Sequence, residues 1–323
     1  MIKWSEFSKK NFKNMKKHDI KYDHIIESMK NIKSNIINSP DVSYKIEVTK
    51  LSLKKIEDLK NSTWVDPDLV YDYLDYDIHI KLNNNNISIK TTKDKFEKIK
   101  KRLSVFLKMI DYIYRSGLQN KNFNLYLVLS NNKKNIDDSI ISSKHVNSGY
   151  TNKTANDIFV WREEEFEKVT FHELIHLINH DHIDENIKIP IYIDGIKSYF
   201  EAITDFKAII YYIIYISILT NIKIKTLLQY EMFFIYNQAK YINSNLQKNK
   251  MKQYSPAYSY FILKYKIFYF MTHVDNLNLF EEIFLLNESY KKLIKLMHKN
   301  NFSAENDTFI NFNSARMTFF ELE

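Results

Sequence analysis

Five residues, His172-Glu173-Leu174-Ile175-His176, constrain the fold of this chain more than any other feature. Two imidazoles four positions apart share a face when the segment is an α-helix, where residues i and i+4 are neighbours. On that face both can reach one metal ion. Glu173, a little further round, can touch a water at the ion without touching the ion itself. Two histidines are an incomplete set, because a catalytic zinc takes three protein ligands and keeps one position open. The fold must therefore bring a third ligand to this helix from another element.

The flanking sequence agrees with a strand followed by a buried helix. Asp157-Ile158-Phe159-Val160-Trp161 is short, apolar and β-prone. Arg162-Glu163-Glu164-Glu165 then places acids where a helix N-terminus favours them. Phe166, Val169, Glu173 and His176-Leu177 recur at helical spacing, and Phe171, Leu174, Ile175 and Ile178 supply apolar neighbours that would keep a metal dry. The competing reading is a buried helix with two hydrogen-bonded histidines and no metal.

Two residues compete for the third ligand position. Glu201 and Asp205 stand on one helical face at the head of the apolar stretch Ala208–Leu219, where an unpaired carboxylate would be costly. His182 follows in the run His172-Glu-Leu-Ile-His176-Leu-Ile-Asn179-His180-Asp-His182. The pattern HExxH with a Glu twenty-five residues beyond His176 and an Asp four later resembles the glutamate zincins. That resemblance implies metal ligation by His172, His176 and Glu201, with Asp205 orienting His172 through its second ring nitrogen. The His182 spacing is similar to the longer metzincin motif, with Asn179 at the glycine position, where Asn tolerates the left-handed conformation. Met232, the candidate for the methionine turn of that family, sits in a helical context instead. Glu201 is the favoured ligand.

The resemblance also implies a peptidase mechanism, with Glu173 as general base and a Tyr or His from the downstream helical region as a second donor to the developing oxyanion. Tyr254, Tyr258, Tyr260, Tyr265 and His273 lie there, and the segment Ser255–Tyr260 singles out Tyr258 and Tyr260. Zincins add peptide substrate to a strand edge just before the active-site helix. Asn147-Ser148-Gly149, with one of three glycines, is the candidate edge, although the same tripeptide is ordinary turn chemistry.

Composition sets bounds. With 323 residues, 45% of them hydrophobic, the chain can bury a sizeable core. It has no cysteine, which excludes disulfides and thiolate ligands. The net charge of +8 accompanies abundant Lys, Asn, Ile, Tyr and Phe, all with AT-rich codons, so no specific nucleic-acid binding is expected. The N-terminus lacks a signal-peptide hydrophobic region, and no uncharged apolar run reaches membrane-spanning length. The expectation is an unsecreted, cytoplasmic protein with one zinc per chain and a peptide or protein substrate. The composition and motifs are also similar to those of metallopeptidases of large nucleocytoplasmic DNA viruses, which implies host cytoplasm or the virion as the location.

Along the chain, residues 1–75 form a Lys-rich region with a strand at Tyr44–Val48 and a candidate regulatory role. Ile78, Ile80 and Leu82, then Asn83–Asn86, then Ile87 and Ile89 predict a hairpin. Phe96 to Ile113 predicts one amphipathic helix stopped by Gly117, and Phe123–Leu129 a buried strand. Helices are expected over 197–219, 222–246, 256–273 and 277–299. The predicted fold is α+β and zincin-like: a strand-bearing lobe with the HExxH helix over 76–181 and a helical lobe with the third ligand over 182–323. The alternative from another class is a non-catalytic helical binding or structural protein with a degenerate zinc site.

Overall fold

The computed structural model describes residues 3–21, 23–50, 73–117, 121–134, 140–180, 199–248, 252–253, 257–273, 279–284, 290–299 and 315–323. The helices are α1 (Glu6–Asn11), α2 (His24–Asn38), α3 (Lys93–Lys100), α4 (Leu103–Arg115), α5 (Ser143–Val146), α6 (Phe166–Leu177), α7 (Tyr199–Thr220), α8 (Ile224–Gln247), α9 (Lys264–His273), α10 (Leu279–Phe284) and α11 (Tyr290–Lys299). The strands are β1 (Tyr44–Lys50), β2 (Tyr76–Leu82), β3 (Asn85–Thr91), β4 (Asn124–Ser130), β5 (Ile140–Ile141), β6 (Gly149–Asn152), β7 (Asp157–Arg162) and β8 (Lys252–Gln253). The protein is an α+β fold: a mixed six-stranded sheet in the first half and a helical region in the second.

The sheet runs in the order β1-β2-β3-β4-β7-β6. β1, β2 and β3 form antiparallel pairs, β3-β4 and β4-β7 are parallel, and β6 returns antiparallel to β7 as the terminal strand. The predicted β2–β3 hairpin is present, with Leu82 opposite Asn85 and Asn83 in the left-handed region at φ 52°. Alternation sets the two faces. Leu125, Leu127, Ile158 and Val160 are buried in the main core. Tyr126, Phe159 and Tyr150 stack across the other face with ring centroids 4.8 Å apart in each pair. That ladder locks the register of the three strands nearest the site.

Two predicted features differ. The single helix expected from Phe96 to Ile113 is two, because the chain breaks at Lys101-Arg102, where Arg102 leaves helical geometry at φ −123°. Its guanidinium is buried against Glu167 of α6, with Nε 2.5 Å from Oε1. The acids before α6 also do something other than favour a helix dipole. Glu165 is fully buried in the left-handed region at φ 59°, and its carboxylate accepts Met317 N and Thr318 N, each at 2.7 Å.

Every residue of α6 except His176 is buried. Its C-terminus closes by a Schellman arrangement: Asn179 N donates to His176 O (3.2 Å) and His180 N to Ile175 O (3.1 Å). Asn179 sits at φ 57°, as its ability to adopt the left-handed conformation allows. Gly117 lets the end of α4 approach this turn; a Cβ there would lie 2.6 Å from Ile178 Cβ. α7 is apolar almost all round and largely buried beside α6, which is how a core helix reads. It is long and apolar enough to cross a membrane, but nearly all of it is buried within the protein.

Candidate metal centre

His172 and His176 of α6 meet Glu201 of α7 across the helix pair. His172 Nε2 and His176 Nε2 are 3.1 Å apart, and Glu201 Oε2 lies 3.3 Å from the first and 3.5 Å from the second. These three possible ligand atoms lie within 3.5 Å of one another. A tetrahedral ion with bonds of about 2.0–2.1 Å separates its ligand atoms by about 3.3 Å, so the triangle has the dimensions of three zinc ligands. Two imidazoles and one carboxylate are also a donor set suited to zinc.

The carboxylate of the triangle is anionic. Burial opposes ionisation of Glu201, but the neighbouring imidazoles, His176 foremost, outweigh it and hold the carboxyl well below the usual range. Asp205, one turn along α7, places Oδ1 3.3 Å from His172 Nδ1, the ring nitrogen that the resemblance assigns to it, at ion-pair distance but without hydrogen-bond geometry. Asp205 is fully buried and shared with two lysines that the sequence reading did not anticipate. Lys168 pairs with its Oδ1, and Lys264 Nζ stands 2.8 Å from Oδ2. Burial raises the Asp205 carboxyl, yet Lys168 and then Lys264 pull it well below its ordinary value. Lys168 precedes His172 by four residues, so helical spacing alone carried a signal for it.

A cavity of about 370 Å³ opens on this triangle, bounded by β6 and α6, with Tyr260 and Met317 also in its wall. Glu173 faces it. Burial raises the Glu173 carboxyl, against the pull of His172, then His176 and the Thr151 hydrogen bond. Tyr260 donates its hydroxyl to Glu201 Oε2 at 3.0 Å. Burial, then Glu201 and Glu173, push its phenol well above the ordinary value, so it stays a neutral donor. It sits in a π-helical turn, Ser259–Leu263, that leads into α9. Tyr258 corrects one expectation. Residues two apart on a helix point to different sides, and Tyr258 does not line the cavity.

Among the other candidate donors, Tyr265 packs on Tyr236 and His18, and His273 stacks on Tyr269, so neither lines the cavity. Tyr254 and His182 lie outside the described residues. His180 turns away from the triangle: its Nε2 is 3.1 Å from Ser116 O, and its carbonyl accepts Lys207 Nζ and Tyr290 Oη. Asn147, Ser148 and Gly149 all line the cavity, but the strand edge begins at Gly149 and runs to Asn152, further along than the sequence indicated. Ser148 joins through its backbone, its carbonyl accepting Trp161 N at 3.0 Å. Comparison with protein-family models, with curated proteins and with solved structures finds no match.

Proposed function

We propose that this protein is a zinc-dependent peptidase of the glutamate-zincin type, hydrolysing peptide bonds at the centre formed by His172, His176 and Glu201. The observation that carries the reading is the 3.1–3.5 Å triangle of ligand atoms with Glu173, outside the triangle, facing the same cavity from the same helix as the two histidines. Zinc, when bound, supplies Lewis acidity that lowers the pKa of water toward about 7 and polarises a carbonyl. Glu173 takes the proton of the attacking water and returns it to the leaving amine. Tyr260, held neutral at the cavity wall, is the donor for charge developing on the carbonyl oxygen. Asp205 fixes His172, and the lysine pair around Asp205 keeps that carboxylate ionised. β6, the terminal strand of the sheet among the described residues, offers backbone groups on which a peptide can add as a further strand.

The test is the Glu173→Gln variant, assayed against a quenched-fluorophore peptide library with zinc measured in the same preparation. The expected outcome is wild-type zinc content with hydrolysis lowered by about three orders of magnitude or more. Undiminished cleavage by this variant removes the mechanism.

A further inference from the structure

We infer that Thr151 is a positioning residue for Glu173, so that strand β6 fixes the general base as well as bordering the cavity. The inference rests on the hydrolytic reading above and goes beyond it. On β6 alternate side chains face opposite sides. Tyr150 turns to the outer face and stacks on Phe159. Gly149 and Thr151 turn to α6, and both meet the same glutamate.

Their contributions are complementary. A Cβ on Gly149 would lie 2.9 Å from Glu173 Cγ and 2.9 Å from Oε1, so the carboxylate occupies the space a side chain would have filled. Thr151 Oγ1 lies 2.8 Å from Glu173 Oε2 and 2.9 Å from Glu173 O. A hydroxyl has one proton, and a carboxylate is a stronger acceptor than the helix carbonyl that competes for it, so the proton belongs with Oε2. One oxygen of the base is thereby tied to the sheet edge. The other, Oε1, lies over Gly149 at the cavity and is the oxygen left to receive a proton.

A carboxylate on two rotatable carbons swings readily without such a tie, and small misplacements of a catalytic group are costly. Thr151→Val keeps the shape and removes the donor; Thr151→Ser keeps the donor and removes the methyl. The experiment compares both with wild type and Glu173→Gln, on the library peptide that wild type cleaves fastest, with zinc content and thermal midpoint measured for each protein. Thr151→Val should lose about tenfold to hundredfold in kcat, with KM within about twofold and zinc unchanged. Thr151→Ser should recover most of kcat. Wild-type kcat in Thr151→Val, a serine variant as impaired as the valine one, or a loss confined to KM overturns the inference while leaving the peptidase reading standing. A wild-type protein that cleaves nothing in the library, or Glu173→Gln as active as wild type, overturns both.

Discussion

Tyr260 and Tyr258 show how much a single residue's direction decides. Both belong to the same helical turn, and only Tyr260 of the two reaches the cavity, where it bonds Glu201 at 3.0 Å. Tyr260→Phe should lower kcat by about tenfold to a thousandfold while zinc content stays at the wild-type level. Tyr258→Phe, outside the cavity wall, should leave kcat unchanged. Steady-state kinetics with zinc analysis of the same preparations checks both, and equal effects of the two substitutions contradict the assignment. At this scale the sequence was informative where chemistry follows helical spacing. His172 and His176 are read from a period of four; Glu201 and Asp205 come from the resemblance to glutamate zincins, with which their shared helical face agrees. Lys264, which flanks Asp205 from another element, and Thr151, which reaches Glu173 from a strand, depend on long-range packing that no local spacing encodes.

At the scale of elements, residues 315–323 form a buried strap whose role was not legible. Its backbone is held by side chains: Met317 N and Thr318 N by Glu165, Phe319 N by Glu231 at 3.1–3.2 Å, and Met317 O by Lys264. Met317 thereby enters the cavity wall. The acids that do this looked, in sequence, like a helix-dipole feature and an ordinary helix position. Burial pushes Glu231 up to about 7, over the opposing hydrogen bonds from Thr318 and Phe319. A carboxyl raised in the folded state contributes stability that is complete below its unfolded value, about 4.3, and is lost as pH rises through about 7. His18, lowered to about 4 by burial and then by His273, is neutral when folded and loses its unfolded-state proton as pH rises through its ordinary 6.5, so it adds a smaller, opposite slope that has faded by about pH 7.5. Between pH 6.5 and 8 the Glu231 contribution should fall by roughly 1 kcal/mol, one to a few degrees in Tm. Glu231→Gln should make the Tm-against-pH profile shallower over that window, with Glu321, also raised to about 7 by burial, keeping a residual slope. An unchanged slope in the variant, read by differential scanning fluorimetry, contradicts this account of the strap.

For the whole molecule, strand and helix identity followed from periodicity: the β2–β3 hairpin, β4, β7 and the long helices α7 and α8 lie where alternation and apolar runs put them. The break between α3 and α4 did not, because the apolar period runs through it while a buried Arg102–Glu167 pair decides the geometry. The α+β architecture was readable for the same reason, whereas the cavity was not. It forms where the terminal strand β6, the helices α6 and α7, the turn at Tyr260 and the strap converge, and those meetings are fixed by packing across more than a hundred residues. The central claim is that the atoms converging from α6 and α7 hold one zinc ion. Zinc per chain, measured by inductively coupled plasma mass spectrometry after exhaustive dialysis, tests it most directly. The account predicts about one zinc in wild type, Glu173→Gln and His182→Ala, and little in His172→Ala and Glu201→Gln. Zinc retained by Glu201→Gln and lost from His182→Ala would contradict it.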